Sequence, residues 1–352
     1  VAGYIAAAAG RTPALAALPI QYGDYARWQR SDAYADLLKT QREWWLAHLA
    51  GSPKALNLPL DRPRRTDAVR AGDTVRFRLD PETSEGVRRL AGECEGTTPF
   101  MVLLAGFSAL LHRLTGDTDI CLGTAIAGRT RPETASLIGL FANTLVLRVD
   151  ASARPSFRTL LARARTTAVG AFAHPDVPFE QLVESLGVQR DSNLHPLFQV
   201  LFLLQNVPPT GNPLSALDLE IKPRAASNRR ARFDLTISWF EDAGCFSGHA
   251  EYATALFDRA TIEAWCSAYT TLLQAAVAEP DVCLTELPLG LSPSFRCANA
   301  SEGDEVYASV ADRFTAMAAL RKEAPAVGYE GRWWSYRELD QAADRVARRL
   351  VS

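Results

Sequence analysis

Catalysis at neutral pH needs a nucleophile beside a base, a set of metal ligands, or charges held where charge develops. The histidines are His48, His112, His174, His195 and His249, and no two stand at metal-ligand spacing. His112 lies near the end of a helix-patterned run, where a cation is mildly favoured. His174 and His195 each precede a proline, which biases them to extended or turn backbone. All five read as structural or surface histidines. Ser108 in Gly106-Phe107-Ser108-Ala109-Leu110 lacks the second glycine of a nucleophile elbow and sits in an apolar helix, so it reads as a packing serine. Cys94, Cys121, Cys245, Cys266, Cys283 and Cys297 form no C-x-x-C pair and lie mostly in apolar runs. They read as core thiols of a reducing cytoplasm rather than a disulfide frame or a zinc site. Neither a phosphate-binding glycine loop nor an H-E-x-x-H helix is present.

The elements around these residues follow from hydrophobic period. Residues 22–50 carry Tyr25, Trp28, Leu37, Leu38, Trp44, Trp45 and Leu49 at helical spacing. Prolines 53, 59 and 63 mark 51–72 as a connecting loop. A strand at Val75–Leu79 and a short helix over 81–91 follow. Thr98-Pro99 starts a helix through Leu114 that is apolar almost all round and therefore buried. Strands are expected at 119–126 and 145–149, and a helix capped by Ser156 runs to Phe172. Asp176 is expected to cap another helix, with Pro178 in its first turn and Phe179 in the core. Phe198–Leu204 is a continuous apolar run, the mark of a central strand covered on both faces. Phe233–Phe240 alternates, turns at 241–244 and alternates again to Tyr252, a hairpin. Asp258 caps a helix with Ile262, Trp265, Tyr269, Leu272 and Leu273 on one stripe, stopped by Pro280. Helices are expected again at 310–320 and 336–350. The class is α/β, a mixed β-sheet with packed helices.

The 352 residues have a net charge of -2, 47% hydrophobic and 22% charged residues. That balance leaves no electrostatic footprint for nucleic acid or an anionic membrane. Arg62, Arg64 and Arg65, and Arg229, Arg230 and Arg232, have acidic neighbours and read as solvated loops. No uninterrupted apolar stretch reaches the ~18 residues of a membrane span. The alanine-rich start lacks a basic region and an initiator Met, so it reads as mid-helix rather than a signal peptide, and the chain as a piece of a longer protein.

Four segments, in order, form a further pattern. Tyr22-Gly23-Asp24-Tyr25-Ala26-Arg27-Trp28 resembles Y-x-D-Y-x-x-W. Ile138-Gly139-Leu140-Phe141-Ala142-Asn143-Thr144-Leu145 resembles I-G-x-F-x-N-T-L. His174-Pro175-Asp176-Val177-Pro178-Phe179-Glu180 resembles H-x-D-x-P-F-E, and Arg190-Asp191 through Pro196-Leu197-Phe198 resembles R-D-x-x-x-x-P-L-F. These are similar to the motif series of nonribosomal peptide synthetase condensation domains, and the resemblance covers about 1–288. Trp333-Trp334-Ser335-Tyr336-Arg337-Glu338-Leu339 is similar to the T-Y-x-E-L near the start of an adenylation domain. That order favours condensation over epimerization, which shares the fold.

The resemblance implies a chloramphenicol acetyltransferase-like lobe. Residues 1–72 would be the tail of an N-terminal lobe with its connecting loop, 73–287 the C-terminal lobe, 288–304 a linker and 305–352 the start of an adenylation domain. It also implies a tunnel between two lobes, where donor and acceptor carrier domains present thioesters on phosphopantetheine arms and an amide forms. The hairpin at 233–252 would cross to the other lobe and, without it, leave an exposed apolar edge. No cofactor would be bound directly. The partners would be those carrier domains and the rest of the same synthetase, in the cytoplasm. The family's H-H-x-x-x-D-G is absent from these residues, since no two histidines are adjacent. In the family it lies shortly before the tyrosine-rich motif, so it is expected upstream of Val1 and this chain alone is expected to be inactive. The alternative is a non-catalytic lobe that binds carrier or tailoring proteins. In the family an arginine after the strand matching 119–126 pairs with the motif aspartate and holds the histidine loop; Arg129 stands there, with a solvated loop arginine as the other reading. Asn143 either faces the tunnel or holds a turn by bonding backbone. Gln199, Gln205 and Asn206 stand on or end the apolar strand and need partners, as tunnel lining or as structural hydrogen bonds.

Overall fold

The computed structural model describes residues 2–8, 10–12, 17–65, 71–188, 194–205, 230–242, 244–291, 314–315, 317–319, 321–329 and 332–351. The chain divides into two compact units, Val1–Asn299 and Ala300–Ser352. The first begins with the short helix α1 (Ala2–Ala8) and is built on a six-stranded mixed sheet. Its strands are β1 (Gly72–Arg78), β2 (Asp119–Ile126), β3 (Asn143–Asp150), β4 (Val200–Gln205), β5 (Leu235–Asp242) and β6 (Cys245–Ala253), in the order β1-β6-β5-β4-β2-β3. β4 runs parallel to both β2 and β5, and the other pairs are antiparallel.

The period-2 pattern of the hairpin sets which face is buried. Leu235, Ile237 and Trp239 pair with Tyr252, Ala250 and Gly248, and all point under the helices. Gly248 is needed here because an added Cβ would lie 2.4 Å from the Phe77 ring, which itself packs edge-on against Trp239. The helices around the sheet are α4 (Pro81–Glu93), α5 (Pro99–Thr115), α6 (Phe157–Ala173) and α8 (Arg259–Ala278). As its all-round apolar sequence requires, α5 is enclosed, packed by α4, α6, α8 and β2. Phe202 of β4 stacks on Phe107 of α5, with ring centres 5.5 Å apart. α7 (Phe179–Ser185) lies against β3 and against α3 (Asp32–His48).

Several expectations are corrected. The helix read over 22–50 is two helices, α2 (Tyr22–Trp28) and α3. Ser31 makes the break: its hydroxyl donates to the Trp28 carbonyl at 2.7 Å and accepts from the Tyr34 N–H. The β5–β6 hairpin is not a bare edge waiting for another lobe. It lies inside the sheet, and the most exposed large apolar side chains among the described residues are Ile138 (96% exposed) and Leu140 (78%). Asp176 does not cap α7, whose N-cap is Pro178; its carboxylate is committed elsewhere. Thr98 and Asp258 occupy N-cap positions without bonding their helices through the side chain. Asp61 serves α8 instead, accepting from the Asp258 N–H and the Thr261 hydroxyl, while Asp258 pairs with Arg62.

In the second unit, β7 (Pro325–Tyr329) and β8 (Arg332–Ser335) form an antiparallel pair that leads into α9 (Tyr336–Val351). Ser335 and Glu338 make a reciprocal capping box: the Ser335 N–H donates to the Glu338 carboxylate and the Glu338 N–H to the Ser335 hydroxyl. Of the helix expected over 310–320, the described residues 314–315 and 317–319 are helical. Among the described residues no helix is long and apolar enough to cross a membrane.

The β2–β4 pairing leaves no room at Gly123, where a Cβ would sit 2.2 Å from the Phe198 ring. Gly123→Ala should therefore destabilise the first unit by about 1–3 kcal/mol, the cost of overpacking a filled core. The midpoint of urea unfolding measures it.

Candidate functional site

The described parts of the four motif segments meet at one end of the sheet, beyond the C-terminal end of β2. The chain leaves β2 through Gly128, whose φ is 64° and whose absent Cβ would fall 1.8 Å from the Phe141 carbonyl oxygen. That approach ties the two ends of the 127–142 loop together. The Arg129 guanidinium then lies 4.4 Å above the Phe141 ring centre, and its Nη1 donates to the Thr134 carbonyl. Arg131 lies 4.0 Å above the Trp28 ring. Tyr22 and Tyr25 of α2 flank Phe141 at 5.3 and 4.9 Å, and the Tyr22 hydroxyl donates to the Leu140 carbonyl at 3.0 Å.

The 174–179 turn is held from three sides by side chains. Asn143 Nδ2 donates to the carbonyls of Pro175 (2.9 Å) and Val177 (2.7 Å), and its Oδ1 accepts from the N–H groups of Thr144 and Phe179. Gln41, 5% exposed, donates to the Asp176 carboxylate at 2.7 Å and accepts from the Asp176 N–H at 2.9 Å. The Tyr34 hydroxyl donates to the Asp176 carbonyl and the Trp45 indole to the His174 carbonyl. Trp44 is sandwiched between His174 (4.3 Å) and His48 (4.6 Å), both rings stacked on it.

Two adjoining cavities open between these segments. One, of about 520 Å³, is lined by Tyr25, Tyr34, Phe141, Asn143 and Asp176. The other, of about 570 Å³, is lined by Val183, His195, Leu201 and Phe233. Ala125, Thr144, Phe179, Glu180 and Arg232 line both, so the two form a continuous cleft. Burial, followed by the charge of Asp176, raises the Tyr25 phenol, and burial raises that of Tyr34, so both stay protonated. Among the described residues no group of three His, Cys, Asp or Glu side chains is placed to hold a metal. The cleft offers shape, apolar surface and hydrogen-bonding groups, which bind and align a ligand.

Asn143 thus lines the cleft, and Arg129 lies over the ring of Phe141, which lines it too. Arg129 is exposed, whereas the Asn143 amide is fully engaged with backbone. Gln199 stands apart, 1% exposed: its amide accepts from the Leu56 N–H and donates to the carbonyls of Lys54 and His195, fastening the connecting loop to β4. Gln205 is exposed at the end of β4, and Asn206 lies outside the described residues. Sequence reading misses Gln41, Tyr34 and the two arginine–ring stacks. The signal for Gln41 is a polar side chain on the apolar stripe Tyr34–Leu38–Gln41–Trp45.

The family model for the condensation domain matches residues 1–292. This chain belongs to the condensation-domain family. A relative, one of the linear gramicidin synthase proteins of Brevibacillus parabrevis, is 44% identical over 286 residues, 81% of this chain and 6% of that protein. The dimodular nonribosomal peptide synthase of Bacillus subtilis (strain 168) is 39% identical over 365 residues, 99% of this chain and 15% of that protein. The chain therefore spans a small part of the synthetases it matches. Among solved structures, the complex of the X-domain and OxyB from teicoplanin biosynthesis superimposes with a TM-score of 0.72 and 27% identity, over 83% of this chain and 65% of that one. The mixed sheet with packed helices is accordingly the chloramphenicol acetyltransferase-like fold of condensation domains.

The clamp on the 174–179 turn can be tested at both of its ends. Gln41→Leu leaves the Asp176 carboxylate and N–H without their partner and should cost about 1–3 kcal/mol in chemical denaturation. Burial, then the nearby Arg148, holds the His48 imidazole below its ordinary range. Its neutral form is favoured in the fold, so its contribution is complete above the unfolded value near 6.5 and is lost as pH falls. His48→Phe keeps a ring against Trp44 but cannot titrate. Its melting temperature should fall less than that of the wild type between pH 8 and pH 5.5.

Proposed function

We propose that this condensation domain contributes one wall of a cleft in which an acyl or peptidyl thioester on one carrier domain meets an aminoacyl thioester on another. The amine attacks the thioester carbonyl, a C–N bond forms, the C–S bond breaks, and the donor carrier recovers its phosphopantetheine thiol. The observation that carries this reading is the convergence of the 22–28, 138–145 and 174–180 segments and His195-Pro196 on one continuous cleft. A cleft that holds both reactants in line converts an encounter into a near-unimolecular step, which supplies much of the rate. The histidine loop of the family motif, which these residues do not include, would supply proton transfer or charge stabilisation.

Arg129 is assigned the pairing with the aspartate of that loop. Asn143 shapes the wall by fixing the 175–179 turn, and Gln205 ends the central strand. The apolar lip of Ile138 and Leu140, with Tyr22 beside it, is the surface the histidine-bearing lobe would cover. Residues 305–352 are assigned to the start of an adenylation unit, on the Ser335–Glu338 cap within the T-Y-x-E-L-like segment. A second reading, a lobe that recruits a tailoring protein, draws on the likeness to the X-domain solved with OxyB.

Completing the domain tests the choice. The chain is fused behind a condensation N-terminal segment bearing H-H-x-x-x-D-G and supplied with loaded donor and acceptor carriers. Mass spectrometry of the acceptor carrier should then show the amide, and the chain alone should give none. A folded fusion that binds both carriers yet forms no amide rejects the catalytic reading in favour of the recruiting one.

A further inference from the structure

We propose that Phe141 is a positioning residue for Arg129, holding its guanidinium in the orientation that receives a carboxylate. The inference rests on the assignment of Arg129 to the aspartate of the histidine loop. Arg129 follows Gly128, whose φ of 64° favours glycine and whose own backbone lies directly against the Phe141 carbonyl. The guanidinium lies over the ring at 4.4 Å, and Nη1 is tethered to the carbonyl of Thr134, itself 1% exposed. Nε and Nη2, the pair that can grip a carboxylate with two parallel bonds, have no partner among the described residues. Phe141 is rigid in turn: it is 8% exposed and held by Tyr22 and Tyr25 from α2.

An exposed arginine loses rotamer freedom when it pairs, and that loss weakens the pair. Here the negative face of the ring and the tether remove the freedom beforehand, while the charge still faces solvent. An aliphatic residue at position 141 fills the same space but has no such face. The ring, rather than its bulk, is therefore the feature that matters.

The test uses the domain completed with its histidine-bearing lobe and follows amide formation between loaded carriers. Phe141→Leu should lower kcat by roughly two- to five-fold, the loss of one exposed cation–π contact, with KM for both carriers unchanged. Phe141→Tyr, which keeps the ring face, should restore the rate. Arg129→Ala should lower kcat further than Phe141→Leu. If Arg129→Ala is impaired while Phe141→Leu matches the wild type, the positioning role is wrong and the assignment of Arg129 stands. If Arg129→Ala is itself fully active, the assignment fails and the positioning role with it. Should Phe141→Leu not fold, Phe141→Met replaces it. If neither folds, NMR of the wild-type chain decides: Arg129 Hδ protons shifted upfield by the ring current support the proposal, and unshifted ones overturn it.

Discussion

The amide of Asn143 is the fixed point of the cleft. It sits at the first residue of β3, and its two donor hydrogens and its oxygen are all spent on backbone from two segments. A partly buried backbone turn with unmet N–H and C=O groups is costly, and this one side chain meets those of Pro175, Val177 and Phe179. The sheet edge, the proline-containing turn and the start of α7 are thereby set relative to one another. Phe179 and Glu180, which follow at once, take their places in the cleft wall from that bond set.

Around the fixed point, rigidity comes from flat groups rather than from charge. Tyr22, Tyr25, Phe141 and Trp28 with two guanidiniums pack the loop side, and His48, Trp44 and His174 pack the turn side. Stacked rings bury large areas with few rotatable bonds, so they order a surface at low entropic cost. Apart from the exposed Arg27–Asp24 pair on α2, the ion pairs among the described residues of the first unit lie elsewhere. Arg148 with Asp119 across β2–β3, and Arg64 with Asp234, bridge strands and loops that the core already positions.

Much of the scaffold is legible because its period is unambiguous. The apolar wrap of α5 and the alternation of β5 and β6 are found as expected; the run at 198–204 forms β4 over Val200–Gln205, but with Leu201 lining the cleft and Gln205 exposed rather than covered on both faces. Misreadings arise where two local devices compete. A hydroxyl inside an apolar helical pattern gives no sign that Ser31 bonds both ways, so the pattern shows one helix where there are two. Asp176 has the sequence of an N-cap, but Gln41, far away in the chain, offers it a better partner. Asp258 similarly yields capping to Asp61, a residue 197 positions away. The motif positions point to the cleft, yet the partners that orient them are long-range, and no local pattern encodes a long-range pairing. Asn143 shows the limit well: both roles open to it use the same amide, and only coordinates distribute its four bonds.

The placement of α3 has a bearing on how synthetases exchange parts. Trp45 and Leu49 are buried in the same core as α5 and α6, and Gln41 and Tyr34 hold a turn that lies more than 130 residues later. The proline-bearing stretch at 51–65 looks like a natural seam, but it lies on the wrong side of those contacts. Recombination or engineered grafting at that seam would leave the recipient with a helix evolved for a different turn. A crossover placed before Tyr22 keeps that helix with the turn it holds.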